Sequence, residues 1–134
     1  MTEKLPVTIA IPVKNEAANL ARCLDRLGQF AEIVVIDSGS NDATCEIAKS
    51  YGARVSNFRW DGKYPKKRNW FLMNEPPTQP WVLFLDADEF IDQAFCDALK
   101  LALQDETKDA YWLCYTNHFL GKPLRFGLAQ RKLA

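Results

Sequence analysis

Apolar residues along this chain follow two alternating patterns. Val7 to Pro12 is a short apolar run closed by a proline, which suits a buried strand leaving a sheet. Ala17, Leu20, Leu24 and Leu27 then fall on one helical stripe, with Asn15 as the expected cap and Gly28 as the stop. Ile33 to Ile36 is a continuous β-branched run, the pattern of a strand covered on both faces, and it halts at Asp37. The turn-forming DSGSND follows, then a short helical segment through Ile47 and Ala48 to Gly52, and a third strand over Ala53 to Ser56. Asn57 to Pro65 is irregular and aromatic. Pro65 suits the first turn of a helix running to Asn74, and EPPTQP reads as a hinge. Trp81 to Leu85 is a fully apolar strand. Asp92 can cap a helix whose Phe95, Leu99, Ala102 and Leu103 share a face, and Ala110 to Thr116 reads as one more strand.

Strands alternating with helices predict βαβ units: an α/β fold with a mostly parallel sheet, right-handed crossovers and helices on both faces. The 134 residues suffice for a single domain spanning 1–134. Seventeen basic and seventeen acidic residues cancel, which removes the counterion-release drive of most nucleic-acid binders, so no nucleic-acid partner is expected. Cys23, Cys45, Cys96 and Cys114 form no CxxC pair and have a single histidine, His118, to assist them. Structural zinc is therefore not expected, and all four cysteines read as buried reduced thiols. No segment approaches the ~20 apolar residues of a membrane span, and a cytoplasmic protein is expected.

Open α/β sheets bind ligands beyond the carboxyl ends of their strands. Three such ends are polar here: Lys14-Asn15-Glu16, Asp37-Ser38-Gly39-Ser40 and Asp86-Ala87-Asp88. Each can also serve as an ordinary cap or turn. The last is the most informative. If the backbone stays extended, Asp86 and Asp88 share a face, and two adjacent carboxylates are best kept ionised by a hard cation such as Mg2+ or Mn2+ whose other ligands are water and a diphosphate. With neither a Walker A sequence nor GxGxxG present, a cation is expected to meet the phosphates. Asp37 can accept hydrogen bonds from a base or ribose. Lys66, Lys67 and Arg68 open a helix where cations oppose its dipole; they are either a solvated face or a diphosphate contact.

Four blocks occurring in order, VTIAIPVKNEAANLARCLDRL, EIVVIDSGSNDATCEIAKSYGARV, GKYPKKRNWFL and WVLFLDADE, resemble family 2 glycosyltransferases of the GT-A fold, in particular the lipopolysaccharide core glucosyltransferase branch. The likeness runs from about Val7 to Leu124. It implies a GT-A, Rossmann-like nucleotide-diphospho-sugar fold and transfer of a hexose, glucose in that branch, to a cell-envelope glycan or lipopolysaccharide acceptor with inversion. It also implies that Pro12, Asn15 and Glu16 lie at the nucleotide pocket, that Asp37 contacts base or ribose, and that Arg68 approaches the nucleotide. Asp86 would lie near ribose and metal, and Asp88 would hold the Mg2+ or Mn2+. The implied donor is UDP-glucose.

The likeness has a limit. Members of the family continue beyond this point and carry an acidic base in their acceptor half, whereas the last acid here is Asp109 and the tail LAQRKLA departs from the pattern. The acceptor half is thus expected to be largely missing, His118 is the remaining candidate base, and Glu89 reads as a supporting residue. The alternative is a nucleotide-sugar-binding remnant without catalysis. A DxD phosphatase is disfavoured because DADEF lies late and offers Phe90, and a response regulator lacks its acidic pair after the first strand. A sheet without its later strands predicts self-association, and Lys122, Arg125, Arg131 and Lys132 are either an ordinary soluble terminus or a peripheral contact with anionic lipid at the inner membrane.

Overall fold

The computed structural model describes residues 3–123 and 131–133. The first apolar run becomes β1 (Leu5–Val13), and the helical stripe becomes α1 (Ala17–Leu24), which buries Leu20, Cys23 and Leu24. β2 (Phe30–Asp37), α2 (Thr44–Ser50) and β3 (Arg54–Asn57) follow in the predicted order. Next come α3 (Lys67–Asn74), β4 (Trp81–Phe84) and α4 (Gln93–Ala102). β1 to β4 form one parallel sheet in the order β3-β2-β1-β4, the mostly parallel α/β architecture that the alternation predicted.

Strand alternation divides the core into two layers. Val7, Ile9, Ile11 and Val13 point to the side of Leu20, Leu24, Ala48 and Cys96, on α1, α2 and α4. Ala10, Val34 and Ile36 face the other way and meet Phe58 and Phe71, the latter on α3. The cause is the direction of travel. The chain steps outward from β1 to β3 and then doubles back to β4, so crossovers of one hand carry α3 to the opposite face from α1 and α2.

Four expectations are corrected. Asn15 does not cap α1; Glu16 holds that position without a side-chain cap bond, and Asn15 has φ 54°. Pro65 follows a cis peptide bond and precedes α3, which starts at Lys67. Ala110 to Thr116 contains only β5 (Trp112–Cys114), which joins β8 (Arg131–Leu133) in an antiparallel pair outside the main sheet. Tyr111 stacks on Trp81 with ring centroids 5.4 Å apart, so this stretch meets β4 through a ring contact and not through a ladder. All four cysteines are free, but Cys114 is exposed and Cys45 only half-buried, because β5 turns alternate residues to solvent and α2 is a surface helix.

β6 (His118–Phe119) and β7 (Lys122–Pro123) make a second small ribbon. Arg125, one of the four tail cations, lies outside the described residues. Among those residues no helix is long and apolar enough to cross a membrane. Asp92 caps α4 as its sequence position predicts, accepting a hydrogen bond from the Phe95 amide at 2.8 Å. Asp92→Ala is expected to lower stability by about 1 kcal/mol in urea denaturation, the usual cost of a lost N-cap.

Candidate functional site

In the order β3-β2-β1-β4 the chain reverses direction between β1 and β4, and a crevice opens where the loops leaving those two strands diverge. The polar ends of β1, β2 and β4 therefore share one rim. In strand register Pro12 is paired with Ile36 and Val13 with Asp37.

The loops after β1 and β2 are bonded into one unit. Asn15 takes a left-handed backbone that asparagine tolerates better than most residues. Its amide donates to Ser40 Oγ at 2.8 Å, and its Oδ1 accepts from the Asn41 amide at 2.7 Å. The Glu16 amide donates to Thr44 Oγ1 at 3.0 Å and the Ala17 amide to Asp42 Oδ2 at 3.2 Å. The start of α1 is thus capped by the neighbouring loop, a long-range arrangement that local sequence rules do not reach. The Glu16 carboxylate turns to its own helix and accepts from Asn19 Nδ2.

Asp37 is 4% exposed at the end of β2. It accepts from the Gly39 amide at 3.1 Å, from the Ser40 amide at 3.1 Å and from Ser40 Oγ at 2.5 Å. Burial works to raise its pKa, and the bonds from Ser40, Cys45 and Gly39 outweigh it, so the carboxyl is held below its ordinary value.

α3 reaches across the rim with two consecutive cations. Lys67 Nζ donates to the Val13 carbonyl at 2.6 Å, the same oxygen that accepts the Ser38 amide. Burial lowers the Lys67 pKa to about 8, Asp37 opposes this, and Lys14 adds to it. The sign for stability follows. Between pH 8 and 10.5 the unfolded chain holds the Lys67 proton more tightly than the folded chain, so this group makes stability rise with pH across that window. Urea midpoints measured from pH 7.5 to 10.5 are expected to carry that upward contribution, and Lys67→Met is expected to remove it.

Arg68 pairs with Asp86 at 3.2 Å, on the β4 side of the rim. Both partners are about half exposed, so the pair orients side chains more than it stabilises the fold. The expected extended Asp86-Ala87-Asp88 segment is corrected here. The chain turns at Ala87 and Asp88, and the Glu89 amide closes that turn on the Asp86 carbonyl at 2.9 Å. Glu89 has the expected supporting role: its Oε1 accepts the Asp86 amide at 2.8 Å. Tyr115 also bonds to Glu89, and burial together with that carboxylate pushes its phenol well up. Asp88 is exposed on the turn. Its charge, after burial and Glu89, helps push the Cys23 thiol up to about 12, which leaves that thiol inert.

The structure thus brings Asn15 and Asp37 together through Ser40, and Arg68 together with Asp86. His118 is exposed on the β6 ribbon, paired with Pro123. Sequence reasoning missed Tyr115 and the roles of Ser40, Asp42 and Thr44 as long-range acceptors. Only the polar density of DSGSNDAT hinted at the latter. A cleft of about 610 Å³ opens beside the rim, with Lys14, Ser38, Phe58, Trp60, Lys66 and Lys67 among its lining residues.

Residues 8–129 match glycosyl transferase family 2. The lipopolysaccharide core biosynthesis glycosyltransferase LpsC of Rhizobium meliloti is 38% identical over 113 residues, covering 79% of this chain and 41% of that protein. A glycosyltransferase of Rickettsia prowazekii, RP128, is 31% identical over 106 residues, covering 78% of this chain and 35% of its own length. The chain therefore spans less than half the length of these relatives. Among solved structures, S. aureus TarS 1-349 superposes with a TM-score of 0.66 at 24% identity, covering 79% of this chain and 34% of that one. Glucosyl-3-phosphoglycerate synthase from Mycobacterium tuberculosis, in complex with Mn2+, uridine diphosphate and phosphoglyceric acid, superposes with a TM-score of 0.51 at 26% identity, covering 63% of this chain and 33% of that one. With its parallel sheet, its two helical layers and a match over most of its length, this chain belongs to glycosyl transferase family 2 and has the fold of the GT-A glycosyltransferases.

Proposed function

We propose that the chain binds a nucleoside diphosphate sugar, UDP-glucose by preference, and forms the donor side of an inverting hexosyltransferase acting on a lipopolysaccharide core or other cell-envelope glycan. The observation that carries this is that α3 sets Lys67 on the end of β1 and Arg68 on Asp86 after β4, at the point where strand order reverses. The acceptor class rests on the likeness to LpsC, and the nucleotide on the synthase solved with uridine diphosphate.

Asp88, exposed on the turn after β4, presents the kind of carboxylate a divalent ion would need. Among the described residues no three of His, Cys, Asp and Glu are grouped as a metal cage. Mg2+ and Mn2+ do not need one, since one or two carboxylates suffice when phosphates and water complete the shell. Asp88 and Asp86 would supply those oxygens, and the ion, when bound, would offset the charge building on the departing diphosphate. The rest of the work falls to the chain itself. Arg68 orients Asp86, Glu89 fixes the Asp86 backbone, and Asn15 and Asp37 hold the paired loops as one wall of the nucleotide pocket. Pro12, in register with Ile36, and Glu16, whose amide bonds Thr44, would adjoin that wall. The acceptor hydroxyl must lose a proton to a general base, for which His118 is a candidate.

A second reading, nucleotide-sugar binding without turnover, is favoured by one observation: His118 belongs to a two-stranded ribbon separate from the main sheet. Calorimetry with UDP-glucose and Mn2+, followed by an assay of UDP release with a lipopolysaccharide acceptor, separates the two. Binding with release supports transfer. Binding without release supports the second reading, and absence of binding contradicts both.

A further inference from the structure

Two large rings are left in water where the chain passes from β3 to α3. Trp60 is 59% exposed and Tyr64 is 73% exposed, and both belong to that one connecting loop. A single exposed ring is ordinary on a protein surface. Two rings in one short loop, each directly preceded by a cation, Arg59 and Lys63, form a pattern that packing on the chain's own core does not explain.

The loop also holds its shape. The Trp60 indole N–H donates to the Lys63 carbonyl at 2.8 Å, and the Lys63 amide donates to an Asp61 oxygen at 3.0 Å. Gly62, inside this turn, has a φ of 86° that side-chain-bearing residues rarely adopt. The one polar atom of the indole is thereby satisfied within the turn, and the rest of the ring offers apolar surface. Such a ring can leave water without stranding a donor.

Charge gathers in the same place. Arg59, Lys63 and Lys66 are exposed, and the exposed Lys14 joins Arg59, Trp60 and Lys66 on the lining of one cleft. Asp61 is the one acid of the loop, so four cations face a single carboxylate on a chain whose formal net charge is zero. Among the described residues none of the four is in an ion pair. A bilayer with anionic headgroups matches this combination, since Trp and Tyr favour the headgroup level and each nearby cation adds attraction. A nucleic acid does not, because so small a surplus neutralises few phosphates.

We propose that the loop 59–66 is a peripheral docking surface for an anionic lipid bilayer, with Trp60 and Tyr64 entering the headgroup region and Lys14, Arg59, Lys63 and Lys66 meeting lipid phosphates. This goes beyond the donor-binding reading and does not depend on it. Trp60 shares its cleft with Ser38 and Gly39 of the loop after β2, so docking here would hold the rim close to the bilayer surface.

Cosedimentation of the full chain with vesicles of mixed phosphatidylglycerol and phosphatidylcholine tests this, with pure phosphatidylcholine vesicles as the second probe. Wild type is expected to bind the anionic vesicles at low salt and to leave them as salt screens the attraction. Binding to the neutral vesicles should be weaker by roughly a hundredfold, since each surplus charge contributes about fivefold. Trp60→Ala is expected to weaken binding by roughly tenfold, with Tyr64→Ala in the same direction, and Lys63→Ser by about fivefold. Arg131→Ser combined with Lys132→Ser should bind as wild type does, which separates this loop from the tail. Brominated lipids should quench tryptophan fluorescence in wild type and in Trp112→Phe, whereas Trp60→Phe should bind and lose most of that quenching. Thermal melts confirm that each variant folds.

Absence of binding to anionic vesicles at low salt overturns the inference, as does equal binding to neutral ones. A folded Trp60→Ala that binds as wild type overturns it too, and so does a loss confined to the Arg131 and Lys132 variant. If Trp60→Ala breaks up a dimer in sedimentation velocity while vesicle binding persists, the loop is a contact between copies and the inference fails. Calorimetry with UDP-glucose in the absence of vesicles reports on the donor-binding reading alone, so the two can fail separately.

Discussion

Asp88→Asn is expected to remove the gain in UDP-glucose affinity that Mn2+ provides, leaving the fold unchanged. Asp88 is exposed on the turn after β4, so the amide costs little stability. What changes is chemistry. An asparagine oxygen is a neutral ligand, and a divalent ion held by Asp88 would lose a charged one. Truncating one partner of a close charge pair typically costs several kcal/mol, so the Mn2+-dependent gain should fall by roughly a hundredfold. Titrating UDP-glucose into wild type and variant, with Mn2+ and with EDTA, measures that gain. An equal gain in both proteins would move the metal away from Asp88.

Asp37→Ala should act on the fold as well as on the ligand. The carboxylate takes two amides and the Ser40 hydroxyl at a position almost closed to water. Removing it leaves those donors without their acceptor and frees Ser40, which anchors the Asn15 amide. The loss is expected to be about 2–4 kcal/mol in urea denaturation, with each orphaned donor costing about 1–3 kcal/mol before the loop relaxes. UDP binding should fall with it, because Ser40, one of the residues tying the β2 loop to the β1 loop, loses its anchor. The pH dependence carries a matching sign. The folded Asp37 carboxyl lies below its ordinary value, so its stabilisation is complete above the usual carboxylate range and fades as pH falls through the lowered pKa. The variant should lose that part of the acid-side slope. A variant as stable as wild type, with unchanged UDP affinity, would refute the role given to this carboxylate.

Much of this architecture was legible from residue patterns because the sheet is parallel and covered on both faces. A strand such as Ile33 to Ile36 then appears as an unbroken β-branched run, and its end is marked by the first polar residue, Asp37. The three polar strand ends could be read for the same reason. The cap of α1 could not. Its acceptors, Asp42 and Thr44, lie some 25 residues away, and they displaced Asn15 from the role its position suggested. Nor did the pattern reveal that Ala110 to Thr116 leaves the main sheet, since a short apolar stretch reads alike whether it pairs with β4 or packs beside it. By spacing alone the basic run Lys66-Lys67-Arg68 is either a solvated face or a phosphate contact. The structure divides it: Lys66 stays exposed, Lys67 turns to the β1 carbonyl, and Arg68 turns to Asp86. Such a division depends on the helix's angle to the sheet, which spacing alone does not encode.

In the proposed function, the rim formed by the ends of β1, β2 and β4 seats a nucleotide sugar with a divalent ion at Asp88. Crystals of the protein soaked with Mn2+ and UDP-glucose, with manganese located by its anomalous scattering, test it most directly. The expected result is one manganese bonded to an Asp88 oxygen and to the diphosphate, with the nucleotide seated on this rim. Manganese bound elsewhere, or a nucleotide seated away from this rim, would contradict it.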